Sequence, residues 1–362
     1  MDMDTLLPFT STRPVTAIRL GILTLGEKWD RLLPGGKPSG LPDNIVPNSA
    51  LAQQIREEQG TANHPGATSD PDLSATAISR ILSQAQRLQY PWQIFQFNDS
   101  ALRDDFGLLT KGRRSAPIPP SVQAISPESI FLEEGAEISH SILNASTGPI
   151  YIGRNATIME GSFIRGPFAL CEGAVVKMGT KIYGATTIGP YSTAGGEIKN
   201  SVIFGYSNKG HDGYLGDSVI GEWCNLGAGT STSNLKNNAG DVKVWSPGAA
   251  TSARSEDSPA GAGCFISAGF KCGLLMGDYS RAAINTSFNT GTVVGVCCNV
   301  FGEGLTPKYI PDFSWGFNGR GPQGPKYTFE KALRDIDNWK KLKNQSLTDA
   351  EIQTLKHIFG KS

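Results

Sequence analysis

Histidine is scarce in this chain, with four residues in 362. The six cysteines, Cys171, Cys224, Cys264, Cys272, Cys297 and Cys298, form no C-x-x-C pair and do not cluster with the histidines. No metal site is therefore expected, and the thiols read as reduced, buried, small apolar side chains. No apolar run approaches the roughly 20 residues that span a bilayer. The acidic opening MDMDTLLPF lacks the build of a signal peptide. Charged residues make up only 18% of the chain and sum to zero, so no basic field exists to attract nucleic acid or an acidic membrane. These absences point to a cytoplasmic protein with no nucleic-acid or membrane partner. It is long enough for one large domain or two ordinary ones, with a core that needs no disulfides.

Glycine is abundant instead, at 43 residues, and much of it is regularly spaced beside β-branched neighbours. From Ile152 an apolar residue recurs every sixth position: Ile152, Ile158, Ile164, Leu170, Val176, Ile182, Ile188 and Ala194. Four places after most of them stands a small residue, as at Ala156, Ser162, Ala174, Thr180, Thr186 and Ser192, with Phe168 the exception. A period of six is neither helical nor plain strand alternation. It is the hexapeptide signature of a parallel β-helix, whose three six-residue sides make one triangular coil with the aliphatic residue pointing inward. The hexads LEEGAE and ISHSIL, from Leu132 and Ile138, precede the main run. The rhythm returns at Tyr214, Ile220 and Leu226, and again at Met276, Ala282, Phe288, Val294 and Val300. Between runs the phase slips, which predicts loops leaving the prism over 200–213, around His211, and over about 235–275. The second includes ATSARSEDSPAGAG, expected to protrude.

The fold class is therefore mainly β, with a small α/β region over 1–110 and C-terminal helices over 321–362. The β-helix is expected over 126–320, with an inserted loop at about 240–272. Within 1–110, AIRLGILTL reads as a strand, and SALAQQIREEQ and SATAISRILSQAQRL read as helices. The basic, proline-rich TKGRRSAPIPPS falls in a segment, 111–125, that reads as a linker, with a phosphate-binding patch as the alternative. The first C-terminal helix carries Phe329, Leu333, Ile336 and Trp339 on one face, and the second opens with a capping box from Thr348 to Glu351.

The stretch GEIKNSVIFGYSNKGHDGYLGDSVIGEWCNLGAGTSTSN carries K-x11-H-x2-Y-L-G-D spacing and an N-x-G-A-G-T block. In both it resembles the acetyltransferase half of the bifunctional GlmU-type enzymes, and the whole chain resembles a GlmU-like branch of sugar nucleotidyltransferases. The resemblance implies a left-handed β-helix, usually a homotrimer. It also implies transfer of an acyl group from acyl-CoA, in those enzymes acetyl-CoA, to an amino-sugar phosphate or nucleotide sugar. By the same resemblance His211 matches the catalytic base and Glu197 the carboxylate behind it. Lys199 and Tyr214 match residues that hold the sugar phosphate, and Lys181 replaces a phosphate-binding arginine. Asn225 and Asn234 match amides that position the sugar, the second able to reach in from a neighbouring subunit. Ala228, with Gly229 beside it in GAGT, matches a backbone contact to the acyl-CoA. The family's serine near the thioester is replaced by Ile284, and Lys236 or Lys243 would take over the grip on CoA. The chemistry suits acyl transfer: a histidine that titrates near working pH, a carboxylate to orient it, cations for phosphate and backbone N–H groups for an oxyanion. By composition alone, His211 is a loop histidine and GAGT a coil corner; the spacing to Glu197, Lys199 and Tyr214 shifts the reading to a site, with a sugar-1-phosphate nucleotidyltransferase or a non-catalytic β-helix that binds sugar nucleotides as the alternatives.

Near the N-terminus TLLPFTSTRPV keeps the LxPFTxxRP frame of sugar nucleotidyltransferases. Thr5 stands in the arginine place and Val15 in the lysine place, and the glycine loop would fall before Met1. Those groups cradle the triphosphate, so efficient pyrophosphorylase activity is not expected. Residues 1–110 are read as a degenerate nucleotidyltransferase-like region, retained for packing or substrate binding.

Overall fold

The computed structural model describes residues 3–62, 73–247, 263–317 and 325–362. Strands from Gln123–Ile125 to Tyr309–Ile310 wind as a three-sided parallel β-helix. Its faces are sheets of nine, eight and six strands, each strand pairing with its counterpart one coil away. The hexad residues Ile152, Ile158, Ile164, Leu170, Val176, Ile182, Ile188 and Ala194 are all buried in one continuous core, as the period of six requires. The small residues lie at corners. Ser192 donates to the Phe204 carbonyl at 2.6 Å and accepts the Ser207 N–H at 2.9 Å, and Ser207 repeats this with Gly221 and Cys224. These hydroxyls satisfy backbone groups that a tight corner would otherwise leave unpaired.

Over 200–213 the expected excursion is absent: the chain never leaves the prism there. Partners on the eight-stranded face are ordinarily 18 residues apart, as Ile158 and Val176 are, but Ala194 pairs with Lys209 after 15 and Asn208 with Asn225 after 17. The phase slips because corners have lost residues, chiefly at Gly195-Gly196 and also at Asn200-Ser201, not because a loop was inserted. Inside the resumed run the inward residue is Leu215 and not Tyr214. A true excursion follows Thr232. It returns at Leu274 and carries an antiparallel hairpin, Lys243–Ser246 with Cys264–Ser267. Residues 248–262, including most of the stretch expected to protrude, lie outside the described residues.

Among the described residues, the rest of the chain covers the nine-stranded face and one corner of the prism, and leaves the six-stranded face bare. Residues 3–110 are mostly helical (Leu25–Leu32, Ser49–Ala62, Ala75–Gln84, Gln93–Gln96 and Asn98–Thr110). The strand expected in AIRLGILTL folds instead as a hairpin, Arg19–Leu20 with Leu23–Thr24, turning at Gly21. Gly21 has φ +79°, and a Cβ there would run into Asp105 Oδ2. That carboxylate accepts the Ile22 and Leu23 N–H groups and pairs with buried Lys28. This region packs on the nine-stranded face: Leu6, Phe9, Val15 and Ile18 share a core with Val202, Phe204, Val219 and Leu275. The proline-rich segment does not hang free. Ala116, Ile118 and Val122 pack over the first coil, and Ala116 N–H bonds Leu132 O.

The corner between the nine- and eight-stranded faces carries a ladder of aromatics with left-handed backbone: Tyr191 (φ 57°), Tyr206 (60°), Trp223 (58°) and Tyr279 (60°). Such a conformation costs a bulky residue of order 1–3 kcal/mol. Stacking offsets it, with centroids 5.2 Å apart for Tyr191–Tyr206 and 4.4 Å for Tyr206–Trp223. Helices Phe329–Lys341 and Asp349–Lys361 dock on this corner, burying Ile336, Leu355 and Ile358 against Trp223, Tyr279 and Phe313. The second helix begins with the expected Thr348–Glu351 capping box.

Candidate functional site

The six-stranded face is uncovered among the described residues, and its register sets the outward positions in two columns. One runs Ile142, Phe163, Lys181, Glu197, Tyr214; the other runs Asn144, Arg165, Tyr183, Lys199, Gly216. Lys181, Glu197, Lys199 and Tyr214 thus stand on adjacent coils of one surface. Parallel strands lie about 4.8 Å apart, so these groups fall within the span of one sugar phosphate. Glu197 accepts the Tyr183 hydroxyl at 2.6 Å, and this bond, with burial, pushes the Tyr183 phenol up to about 12. Lys199 Nζ lies 5.6 Å from the Tyr183 ring centre.

Tyr214 is held by a network that the sequence reading passed over. Asn234 donates to the Tyr214 hydroxyl at 3.1 Å and to Asp217 at 2.5 Å, and Asn200 donates to the other Asp217 oxygen at 2.7 Å. Burial and the Asp217 carboxylate push the Tyr214 phenol up to about 12, so it remains a hydrogen-bond donor. Asn234, expected to be able to reach a neighbouring subunit's site, here closes on the tyrosine of its own chain. Asp217 was legible only as part of the quoted Y-L-G-D.

His211 occupies the exposed corner between Lys209 and Tyr214, where the eight-stranded face turns into the six-stranded one. The Gly195-Gly196 corner packs directly against it: a Cβ on Gly196 would meet His211 O at 2.8 Å and Gly213 O at 2.9 Å. Among the described residues no hydrogen bond or ion pair joins the imidazole to Glu197, whose carboxylate is engaged by Tyr183. The His211 backbone is fixed from within the prism. Lys209 points inward at an aliphatic position, 2% exposed, and its ammonium donates to Gly195 O at 3.0 Å and to His211 O. Burial lowers its pKa to about 8. Small Ala194 on the adjoining coil leaves room for the lysine stem.

GAGT forms the next corner along the same edge. Gly229 N–H bonds Asp212 O at 3.1 Å, Gly227 N–H bonds Ala282 O and Thr230 N–H bonds Gly227 O. Among the described residues of this corner, Ala228 is the one whose N–H has no such partner. Ile284 follows on the next corner and is 68% exposed. Asn225 is placed apart from the other expected residues. It lies on the eight-stranded face, in register with Asn208 and Arg281.

Beyond Lys181 the bare face opens into a groove of about 760 Å³, lined by Phe163, Arg165, Tyr183, Asn144 and Thr147. Phe163 is 52% exposed there.

The N-terminal motif is used differently. Thr12 and Arg13 both bond Asp278, and Arg13 also pairs with Glu222 at 2.9 Å. The Phe9 ring packs at a tilt against Phe204 with centroids 5.5 Å apart. The cation of LxPFTxxRP is thereby consumed in joining this region to the coils. No parallel sheet forms among the described residues of this region.

Fold and comparisons define the class, a hexapeptide-repeat β-helix with likeness to sugar nucleotidyl and acyl transferases. Residues 1–44 and 43–114 match the family described as sugar nucleotidyl transferase. The bifunctional protein GlmU of Thermus thermophilus is 29% identical over 153 residues, covering 35% of this chain and 33% of that protein. GlmU of Synechococcus elongatus is 26% identical over 233 residues, 55% of this chain and 51% of the relative. A bifunctional sugar-1-phosphate nucleotidylyltransferase/acetyltransferase of Sulfurisphaera tokodaii is 32% identical over 105 residues, 29% and 23% of the two chains. The GlmU-like resemblance expected from the motifs is thus present, while the chain spans a third to a half of the length of the GlmU relatives. Arabidopsis UDP-N-acetylglucosamine acyltransferase overlaps 68% of this chain and 98% of its own at a TM-score of 0.21 and 14% identity, too loose a likeness to bear on function.

Proposed function

We propose that the protein is an acyl-CoA-dependent N-acyltransferase that transfers an acetyl group to an amino-sugar phosphate or nucleotide sugar. The observation that carries this reading is the setting of Lys181, Glu197, Lys199 and Tyr214 on one uncovered face, with His211 and Ala228 on the edge beside it. In this reading Lys181 and Lys199 neutralise the phosphate, and Tyr214 and Asn234 orient the sugar. Asn225 would serve a group approaching from the neighbouring face. The substrate amine attacks the thioester carbonyl, the C–S bond breaks and CoA leaves as the thiolate. His211 takes the proton lost by the amine, with Glu197 stabilising the imidazolium once its bond to Tyr183 is exchanged. The Ala228 N–H supports the oxyanion, and Gly229 keeps that corner tight.

The protein would act in the cytoplasm as a homotrimer; the bare face and exposed Phe163 suit packing against a second copy. Residues 1–110 serve as a packing remnant in this reading. The family likeness of residues 1–114 favours nucleotidyl transfer as the second reading, and the burial of Arg13 in ion pairs counts against it. Thiol release from acetyl-CoA, with glucosamine-1-phosphate and a panel of amino-sugar nucleotides, tests the proposal. Turnover is expected to fall at least a hundredfold in folded His211→Ala. Silence across the panel would refute acyl transfer, and pyrophosphate release from sugar phosphate and nucleoside triphosphate would favour the second reading.

A further inference from the structure

We infer a second small-molecule site, for a diphosphate-bearing ligand, in the cleft between the N-terminal helices and the nine-stranded face. The chain as a whole is neutral, yet the rim of this cleft is strongly basic. Arg31 comes from helix Leu25–Leu32, Lys111 from the end of helix Asn98–Thr110, and Arg154 from a corner of the second coil. Three unrelated segments therefore direct cations at one space of about 540 Å³, a size suited to a nucleotide or sugar phosphate.

The charges around the cleft separate into two groups. Arg113 is held by Glu133 through two bonds of 2.8 and 2.6 Å, and Arg19 lies 3.7 Å from Glu27. Those pairs are neutral and shape the walls. Arg31, Lys111 and Arg154 form no ion pair among the described residues; Arg154 feels the Glu133 carboxylate that Arg113 already neutralises, and Glu172 is the one further acid in the lining outside the two pairs. A net surplus of about two positive charges remains over a floor of buried apolar side chains, which suits a diphosphate linkage. Folding gains nothing from converging three cations on one cleft, because like charges there repel; an anion relieves that repulsion. The basic run Lys111-Gly112-Arg113-Arg114, read from sequence as a linker, supplies one of the free cations and one of the paired ones.

This cleft is separate from the six-stranded face that carries Lys181 and Lys199 and from the corner that carries His211. It is also separate from the LxPFTxxRP motif, whose arginine is tied to Asp278. The test is titration calorimetry of the full chain with inorganic pyrophosphate at low ionic strength, on the wild type, Arg31→Gln/Arg154→Gln and Lys199→Gln. Saturable binding is expected in the wild type, weakened at least tenfold in the double variant and retained in Lys199→Gln, with thermal melting unchanged in each. UDP run in parallel identifies the source: tighter binding than pyrophosphate assigns the cleft to nucleotides, and equal binding to the free anion. Absence of pyrophosphate binding in the wild type would overturn the inference. So would affinity unchanged in the double variant, or affinity lost only in Lys199→Gln.

Discussion

Lys209 offers the sharpest test of how the candidate site is built, because it is a lysine at a position the repeat reserves for aliphatic residues. The substitution is Lys209→Met, which keeps most of the stem and removes the charge. Burial lowers the lysine from 10.5 to about 8 in the fold. Between those values the unfolded chain binds the extra proton, so stability rises with pH across the window. The penalty for burying the charge is complete below pH 8 and gone above about 10.5. At about 1.4 kcal/mol per pH unit, it amounts to roughly 3 kcal/mol. Other groups titrate in the same range, so the useful quantity is the wild-type minus variant difference in unfolding free energy, from denaturant curves at pH 7 to 10.5. That difference should move in favour of the wild type by about 3 kcal/mol, with nearly all of the change above pH 8. A flat difference would refute the placement of a charged ammonium inside the prism.

Gly196→Ala forces a left-handed alanine and brings its Cβ against the backbone of residues 211–213. A stability loss of at least about 1–2 kcal/mol is expected, with acyl-transfer turnover falling further than the denaturation midpoint implies. Arg13→Met strands Asp278, which is 1% exposed, and should cost about 3–5 kcal/mol. Adding Asp278→Asn should recover part of that loss in the same denaturation assay. Thr348→Ala removes a capping box and should lower stability by about 0.5–2 kcal/mol.

The prism was legible because its inward residues repeat every sixth place and tolerate little but Ile, Val and Leu. The shortened corner was misread because residues lost from a corner shift the six-residue phase just as an inserted loop does, although Gly195-Gly196 mark the place where one coil presses on the next. A second periodic signal records the contraction: an aromatic before a small residue at Tyr191-Ser192, Tyr206-Ser207 and Trp223-Cys224, spaced 15 and then 17 apart. Tracking that pair would have kept the register and put Leu215, not Tyr214, inside. Lys209 was invisible for another reason. A lysine in a β-helix reads as an outward charge, and only Ala194 on the adjoining coil makes room for it. Asn225 shows the limit of motif spacing, since it is close to Tyr214 in sequence yet faces another direction once the corner is turned.

The excursion after Thr232 also shapes how the molecule assembles. Every other coil closes on its predecessor after 15–21 residues, whereas Ile220 waits for Met276, 56 positions later. Closing that longer loop costs about 1 kcal/mol more entropy than an ordinary coil. In a structure whose units touch only their neighbours, such a step divides the ladder into two zippers with a seam between them. Trp223 sits on one side of that seam and Tyr279 on the other, and the C-terminal helices bury both. The two C-terminal helices therefore act as a splint across the seam, tying both zippers together through Trp223 and Tyr279.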